Sequence, residues 1–482
     1  MPKLVVLWTD AAIWLLVVSA IAYGVMVLRR PNLAATWRRV FCNAPALGST
    51  VLLLACLLVT LADSVHYRAA LPPASAVAGK APVAAAYDAQ VRSLLDALLA
   101  RQLAARETTY SLPLAFSSYT KESIEAAGGL VRQAPRLQHG GVHLKDPANQ
   151  WAGDVGLRAA VGLAGGLAAG LLMCAAVIAL TARMARTSWS AMAAAVRHGE
   201  TAIPWRVAML TLVVLCALTG PVVALMGHYH VLGTDVTGND VLVQTLKSIR
   251  TAFVIGALAT LATLPLAVVL GLLAGWYRGW VDEAVQYLYT VLSSIPNILL
   301  IAACVLMVQV FLDKHPELFE TGLERADLKL FLLCMVLGLT GWAGLCRLLR
   351  AETLKLRELE YVQAAQAFGV ADMRILRRHL FPNVAHLMLI VTVLEFSSLI
   401  LYEAVLSYVG VGVDPTMNSF GGMINYARNE MSRDPVIWWP FASAFCFMVT
   451  LVLAANLFAD GVRDAFDPRS RVARPRLRRA TT

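Results

Sequence analysis

Long apolar segments separated by short polar connections dominate this sequence. We predict nine of them, at about residues 11 to 28, 46 to 62, 155 to 182, 207 to 227, 250 to 275, 285 to 311, 329 to 349, 385 to 409 and 438 to 460. About 20 helical residues, at 1.5 Å each, cross a hydrocarbon core of about 30 Å. The pattern therefore predicts an all-α fold, a polytopic membrane helical bundle of about nine transmembrane helices.

The composition excludes an ordinary water-soluble domain. Of the 482 residues, 58% are hydrophobic and 15% are charged, whereas a soluble domain is about 25% charged. The mean hydropathy is +0.64. So much apolar surface cannot be buried in one water-soluble core, and we therefore expect several helices to face lipid.

The formal net charge of +10 indicates an orientation in the membrane rather than a nucleic-acid partner. The Lys and Arg residues lie in short connections beside apolar segments, as the positive-inside rule describes, and not in one patch interleaved with aromatic residues. Arg29, Arg30, Arg38 and Arg39, for example, follow the first predicted span. We therefore expect the N-terminus outside the cell and the C-terminus in the cytoplasm.

Residues 63 to 152 form a long polar insertion, which the same rule places outside. The insertion begins with LPPASAVAGKAPVAAA, whose Ala- and Pro-rich composition is typical of a linker. The leucine spacing near 86 to 106 predicts a helix. Two interpretations stay open for this insertion, a small packed cap without chemistry and a partner-docking segment.

The most informative segment is RELEYVQAAQAFGVADMRILRRHLFPN, which follows the seventh predicted span. It is too polar for lipid and rich in helix-forming residues. We expect two short helices that break at Gly369, because Gly adopts the left-handed conformation that ends many helices. Asp372 then falls in the first turn of the second helix, Arg378 lies near its end, and Pro382 stops it.

This segment resembles the EAA loop of permeases in binding-protein-dependent ABC importers. The matching residues are Gln363, Ala364, Ala365, Gly369 and Pro382, although Gln363 stands where a glutamate is usual. Four other segments resemble the dipeptide, oligopeptide and nickel branch of that family: HVLGTDVTGNDVL at 230 to 242, GLLAGWYRGWVDEAVQ at 271 to 286, EAVLSYVGVGVDP at 403 to 415 and NLFADGVRDAFDPR at 456 to 469. The resemblance covers about 205 to 470, which contains six predicted spans.

The resemblance implies a transport subunit and not an enzyme. Such a permease moves peptides or peptide-like solutes across the bacterial cytoplasmic (inner) membrane. Its partners would be a second homologous permease subunit, two cytoplasmic ATPase subunits, an extracytoplasmic solute-binding protein and membrane lipid. ATP and Mg would bind the ATPase subunits, and this sequence has no GxxxxGKS/T phosphate loop. It also lacks HExxH and nucleophile-elbow motifs, so we expect no cofactor, metal site or catalytic residue.

The resemblance also assigns a coupling role and a division of the chain. The residues of the ATPase-coupling loop would be Gln363, Ala364, Ala365, Gly369, Asp372, Arg378 and Pro382. An extension at 1 to 205 with three transmembrane helices would precede a permease core at 206 to 470, with its loop at 351 to 383, and a basic cytoplasmic tail at 471 to 482. Since every matching motif lies beyond Trp205, we expect a chain without residues 1 to about 200 to keep an assembly-competent core.

Polar residues within the eighth predicted span are candidates for a translocation pathway. Glu395 and Glu403 lie two turns apart on one helix face, with Ser398 nearby. An unpaired charge in lipid costs about 2.5 kcal/mol or more, so such residues need a partner or water. Glu395 and Ser398 are the candidate pathway residues, with an interhelical partner as the alternative for Glu395. For Glu403 the resemblance favours a structural role.

Two other classes of function stay open. An ion-driven secondary transporter would show internal repeats and charges near the midplane, and no convincing repeat is visible here. A membrane scaffold or sensor would bind its ligand through the insertion, an interpretation that the ordered permease motifs disfavour. The solute is open as well, because the family handles dipeptides, oligopeptides, nickel chelates and peptide antibiotics with the same motifs.

Overall fold

The computed structural model describes residues 3–70, 87–126, 129–319 and 321–467. The linker predicted at 71 to 86 and the basic tail predicted at 471 to 482 both lie outside the described residues.

Helices form most of the described chain. Before Trp205 they are α1 (Trp8–Arg29), α2 (Pro31–Cys42), α3 (Ala44–Asp63), α4 (Leu94–Leu98), α5 (Ala100–Ala104), α6 (Pro147–Ala185) and α7 (Trp189–His198). From Trp205 onward they are α8 (Trp205–Leu225), α9 (Val241–Tyr277), α10 (Gly279–Ser294), α11 (Asn297–Lys314), α12 (Gly322–Gly341), α13 (Ala343–Arg357), α14 (Glu360–Ala367), α15 (Asp372–Ile375), α16 (Phe381–Tyr408), α17 (Phe420–Glu430) and α18 (Trp439–Phe466).

Eight helical segments in the described ranges are long and apolar enough to cross a membrane. They are α1, α3, α6, α8, α9, α11, the continuous segment Asp372–Tyr408 and α18. A ninth is the pair α12 and α13, which bends by 41° between Gly341 and Ala343. The prediction of an all-α polytopic bundle of about nine spans is confirmed.

The span predicted at 285 to 311 differs in the structure, because Pro296 divides it. Helix α10 ends at Ser294 and α11 begins at Asn297. Proline has no N–H to continue the hydrogen-bond ladder, and the residue before it is pushed out of the helical region. Ile295 accordingly has an extended backbone, with φ −90° and ψ 133°. Only α11 then has the length and composition of a membrane span.

The insertion contains strands that the sequence analysis did not predict. Strands β2 (His66–Ala70) and β3 (Tyr87–Ser93) of the insertion pair antiparallel, and β1 (Lys3–Val5), which precedes α1, pairs antiparallel with β2. Strand β4 (Glu122–Ala126) pairs antiparallel with β5 (Gly129–Gln133). The predicted helix at 86 to 106 is therefore wrong over its first half. Helix α4 begins only at a capping box, in which the Ser93 hydroxyl accepts from Asp96 N at 3.0 Å and Asp96 Oδ2 accepts from Ser93 N at 2.9 Å.

Helices α6 and α8 pack with their backbones in contact. Gly162, Gly166 and Gly170 form a small-residue stripe along α6, and a Cβ placed on Gly166 would lie 2.2 Å from the Cys216 carbonyl oxygen. On α8, a Cβ on Gly220 would lie 2.2 Å from the Gly162 carbonyl oxygen. Close backbone approach through small residues is a common basis of helix association in lipid.

A buried charge cluster joins the first 70 residues to the bundle. Arg250 of α9 is 3% exposed, and its Nη2 donates to Asp10 Oδ1 at 2.6 Å and to Thr9 Oγ1 at 2.9 Å. Thr9 N donates to Asp327 Oδ2 of α12 at 3.0 Å, and His66 Nδ1 lies 2.6 Å from Asp10 Oδ2. A chain without residues 1 to about 200 would leave Arg250 without its closest carboxylate. These contacts revise the expectation that the extension can simply be removed.

The two ends of α9 define two faces of the bundle. We call the end where α9 begins, beside residues 87–126, the insertion face; there Glu107 N donates to the Gly238 carbonyl at 3.0 Å. We call the end where α9 finishes, beside residues 358–380, the coupling-loop face. There Arg357 Nη1 donates to the Trp276 carbonyl at 2.8 Å.

Candidate functional site

Residues 358–380 form an elbow on the coupling-loop face, and Gly369 is its corner. Gly369 has φ +71°, in the left-handed region that favours glycine. Its N–H donates to the Gln366 carbonyl at 2.9 Å, and the Val370 N–H donates to the Ala365 carbonyl at 3.1 Å. This pair of bonds is a Schellman motif, which ends α14 and satisfies its last carbonyl groups. The structure thus places the break between the two helices at Gly369.

The second arm of the elbow continues into the membrane, contrary to the prediction that Pro382 stops it. Leu376–Leu380 form a π-turn, in which Phe381 N donates to the Leu376 carbonyl five residues back. The turn adjusts the ladder just before Pro382, which cannot donate. Asn383 Nδ2 donates to the His379 carbonyl at 2.6 Å and satisfies an acceptor there. The arm and α16 therefore form one continuous helical segment, Asp372–Tyr408.

An apolar cluster fixes the base of the elbow to the bundle. Val362, Ile375 and Leu380 are each 0% exposed and pack in one cluster with Leu349 of α13 and Trp276 of α9. Burying each of these side chains stabilises the packed arrangement by about 1.5–3 kcal/mol relative to exposure. The elbow is thus anchored along its inner side and free along its outer side.

Polar contacts tie the same region to α9 and α10. Arg350 binds Asp282 with two hydrogen bonds, from Nε at 2.5 Å and from Nη2 at 2.6 Å. Arg278 Nη2 lies 2.5 Å from Glu358 Oε1. The paired Arg–carboxylate geometry at Asp282 favours a fixed orientation of α13, the helix that carries the elbow.

The predicted loop residues lie mostly on the outer side of the elbow. Gln363, Ala364, Gly369, Asp372, Arg378 and Pro382 are exposed, and Ala365 is half-buried. Gln363 Nε2 donates back to the Glu358 carbonyl at 3.3 Å. Asp372 lies in the first turn of α15, where its negative charge interacts favourably with the helix dipole.

Sequence reasoning missed the apolar tip of this elbow. Phe368, directly before Gly369, is 87% exposed, and Met373 is 58% exposed. Leu359, Tyr361 and Phe381 add further exposed apolar surface around them. The sequence signal for this tip was Phe368 itself, an aromatic residue beside Gly369 in a segment otherwise too polar for lipid. Exposed apolar patches of this kind mark interaction sites for a protein or a membrane.

The candidate pathway residues lie on one exposed stripe of α16. Glu395 and Ser398 are exposed, and the stripe continues through Leu401, Val405 and Tyr408, which are 42–45% exposed. No described residue forms a hydrogen bond or ion pair with the Glu395 carboxylate. Glu403 lies on a different side, is 1% exposed and accepts a hydrogen bond from Ser407 Oγ at 2.6 Å. The structure thus separates the two glutamates that the sequence placed on one face.

A second polar cluster lies on the insertion face. Glu107 accepts hydrogen bonds from the backbone N–H groups of residues 138 to 140 at 2.8–3.0 Å. His230 Nδ1 lies 2.8 Å from Asp240 Oδ2, and its Nε2 lies 3.4 Å from Glu107 Oε1. Burial opposes charge on His230, but the two carboxylates outweigh it and raise its pKa to about 9. Burial likewise opposes charge on Glu107, but His230 and the backbone donors lower its pKa to about 2.

This cluster links the insertion to the core through His230. In the described part of the chain, no group of three or more His, Cys, Asp or Glu residues is arranged to hold a metal ion. Glu107, His230 and Asp240 instead join the insertion to the start of α9. Their position brings the insertion over the segment at 230 to 242 that the sequence analysis singled out.

Known proteins resemble the second half of the chain. Residues 267–472 match the family model described as the binding-protein-dependent transport system inner membrane component. The oligopeptide transport system permease protein OppC of Mycobacterium tuberculosis is 31% identical over 252 residues, which are 52% of this chain and 80% of that protein. The dipeptide transport system permease protein DppC of Lactococcus lactis is 30% identical over 50% of this chain and 64% of that protein.

Two further proteins match part of this chain. The glutathione transport system permease protein GsiD of Pectobacterium atrosepticum is 32% identical over 50% of this chain and 73% of that protein. Among solved structures, the inward-facing MetNI methionine ABC transporter matches 47% of this chain and 96% of its own, at 20% identity and a TM-score of 0.34. Because the chain is 31% identical to this OppC over 80% of that protein's length, it belongs to the family of ABC importer permeases, the inner-membrane components of binding-protein-dependent transport systems.

Proposed function

We propose that this chain is the permease subunit of an ATP-driven importer for peptides or peptide-like solutes. The observation that carries the proposal is the elbow at 358–380, which presents Phe368 outward from a base packed on α9 and α13. A helix pair of this kind suits a groove on a separate motor protein. The names of the relatives, which are oligopeptide, dipeptide and glutathione permeases, support the solute class.

The proposed complex contains a second homologous permease subunit, two cytoplasmic ATPase subunits and an extracytoplasmic solute-binding protein. ATP and Mg would bind to the ATPase subunits, and no cofactor is proposed for this chain. Closure of the ATPases would push on Phe368 and on the coupling-loop residues Gln363, Ala364, Ala365, Gly369, Asp372, Arg378 and Pro382. Because the second arm of the elbow continues into α16, the push would pass directly into the membrane-spanning part.

The stripe on α16 supports a pathway at the junction of the two permease subunits. A carboxylate facing lipid at mid-membrane costs about 2.5–3.5 kcal/mol, so Glu395 needs a partner subunit or water beside it. A second permease packed against Leu401, Val405 and Tyr408 would place partner side chains beside Glu395. It would also enclose a water-filled path, since the solute would cross between the two bundles. Glu395 and Ser398 would then face the solute.

We propose that the coupling-loop face is cytoplasmic and the insertion face extracytoplasmic. Arg374, Arg377 and Arg378 lie beside the membrane end of the elbow, which agrees with the positive-inside rule. The N-terminus would then be outside and the C-terminus inside. In this arrangement the extension at 1 to 205 packs against the core at 206 to 470 and covers part of its extracytoplasmic surface.

Reconstitution tests the proposal directly. The chain, its partner permease, both ATPases and the binding protein would be placed in proteoliposomes, and uptake of radiolabelled trialanine would be measured with ATP and with ADP. We expect uptake only with ATP and the binding protein. Uptake driven by a proton gradient without ATP would overturn the importer assignment and favour a secondary transporter. ATP-driven uptake of a nickel chelate without any peptide would overturn the solute class alone.

A further inference from the structure

A cavity of about 760 Å³ opens on the insertion face between the insertion and the core. Gln102, Arg106 and Tyr110 of the insertion line one side, and core residues between 235 and 247 and between 407 and 430 line the other. Ligand pockets of small molecules fall in the range of about 300–1,000 Å³. The cavity is therefore large enough for a short peptide, and the insertion supplies part of its wall.

Lys329 of α12 lines this cavity with an ammonium that is almost unpartnered. The side chain is 9% exposed, and its closest charged neighbour, Asp414 Oδ2, lies 3.9 Å from Nζ. Among the described residues, no acceptor lies within hydrogen-bond distance of Nζ. An ammonium has three donors and is costly to bury without acceptors. A ligand oxygen in the cavity would supply what the protein does not.

The other cations on the wall are already engaged. Lys247 Nζ lies 2.6 Å from Asp96 Oδ1, and Arg106 Nε donates to the Thr237 carbonyl at 2.8 Å. Asp414 is held in place from its other oxygen, since Thr416 N and Thr416 Oγ1 donate to Oδ1 at 3.1 and 2.9 Å. Among these three wall cations, Lys329 is therefore the one with no hydrogen-bonded acceptor, since Asp414 pairs with it only at 3.9 Å.

The same cavity carries fixed negative charge for the opposite pole of a ligand. Asp235 is oriented by Thr237, whose N–H and hydroxyl both donate to Oδ1 at 2.8 Å. Glu430 lies across the cavity wall, with Arg433 Nε 2.9 Å from its Oε2. A cavity with one ammonium that lacks a hydrogen-bonded acceptor, and with ordered carboxylates besides, is complementary to a zwitterion and not to a simple anion.

We propose that this cavity binds short zwitterionic peptides and that Lys329 binds their C-terminal carboxylate. The ligand ammonium would lie toward Asp235, whose oxygens accept hydrogen bonds from the uncharged groups of Thr237 and Gln244. This inference rests on the proposed importer function for its solute class, but the site itself is defined by Lys329 and the wall that the insertion completes. The insertion then acts in solute selection, a role that the core segments alone do not provide.

Equilibrium dialysis of the purified full chain in nanodiscs tests the site. The probes are radiolabelled trialanine and its C-terminal amide, which differ in the carboxylate that Lys329 would bind. We expect wild type to bind the acid at least about tenfold more tightly than the amide, since a charge-assisted hydrogen bond has about that effect. Lys329→Met should bind both alike, and Lys329→Arg should keep the preference. Lys314→Met, at an exposed lysine that ends α11, is the matched control and should behave as wild type.

A second variant keeps the test decisive where Lys329→Met fails to fold. Asp414→Asn removes the carboxylate nearest Lys329 and should tighten the acid several-fold without changing the amide. Wild type with no acid preference, a preference that survives Lys329→Met, or an acid affinity unchanged in Asp414→Asn would each overturn the site. Lys329-dependent binding without ATP-driven uptake in proteoliposomes would support the site and refute the importer. ATP-driven uptake without any acid preference in binding would support the importer and refute the site.

Discussion

Replacing Gly369 with valine perturbs the backbone of the elbow without disturbing the packing around it. A Cβ at Gly369 meets nothing within 4 Å, so the substitution creates no clash. The whole effect comes from φ +71°, a conformation that a β-branched residue strongly disfavours. Strain of this kind costs about 1–3 kcal/mol. We therefore expect the elbow to leave its native conformation about 5- to 160-fold more often than in wild type.

The assay combines uptake, ATP hydrolysis and co-purification of the ATPases with the reconstituted complex. Gly369→Val should lower uptake by about tenfold or more, while expression and membrane insertion persist, because the spans keep their apolar surface. Two controls define the cause. Gly369→Asn should retain most uptake, because Asn tolerates the left-handed conformation. Gly199→Val places the same strain, at φ +75°, at the end of α7 and should leave coupling intact.

The refuting result is normal uptake and normal co-purification for Gly369→Val. Such a result would remove the elbow from the mechanism, since the strain cannot be relieved by moving a neighbouring side chain. Equal losses in Gly369→Val and Gly199→Val would instead indicate general destabilisation, and would refute a specific coupling role.

Three further perturbations test other parts of the structure. Phe368→Ala should abolish co-purification of the ATPases without lowering the melting temperature, because the side chain is 87% exposed; retained co-purification would contradict the docking surface. Arg250→Met should destabilise the chain by about 3–5 kcal/mol, because it leaves buried carboxylates unpaired, whereas Arg325→Met at an exposed pair should cost under about 1 kcal/mol. Equal melting temperatures for the two variants would refute a stabilising role of the buried charge cluster. The pKa of His230 is raised from 6.5 to about 9, so its interactions contribute a free energy of unfolding that is fully present below about pH 6.5 and is lost as pH rises through about 9. The same fall in melting temperature with pH in His230→Gln would contradict this assignment.

The features that sequence could predict are local ones. The corner at Gly369 depends on one residue and on the carbonyls within four positions of it, so the pattern around it was sufficient. The apolar spans were predictable for the same reason, since lipid selects each one by length and composition. Pro382 was misinterpreted because its usual effect is cancelled by its neighbours, through the π-turn before it and the Asn383 amide.

The features that sequence could not predict depend on distant partners. Strand β3 pairs with β2 across the linker, so its alternating pattern looked like part of a helix. Arg250 and Asp10 lie 240 positions apart, and only packing of α1 on α9 brings them together. The same holds for Lys329 and Asp414, which both line the cavity. In the sequence each is simply a charged residue near a predicted span. Such pairs carry no signal in a single sequence.

The continuous segment Asp372–Tyr408 relates the proposed sites to one another. At 1.5 Å per residue its 37 residues extend about 55 Å, from the coupling-loop face to the insertion face. Glu395 lies partway along it, and Ser407, near its end, lines the cavity that holds Lys329. A push on the elbow would therefore move the pathway stripe and the cavity wall together, without an intervening loop to absorb it. The π-turn at Leu376–Leu380 is the one irregular place along this segment, and it lies where the push would enter.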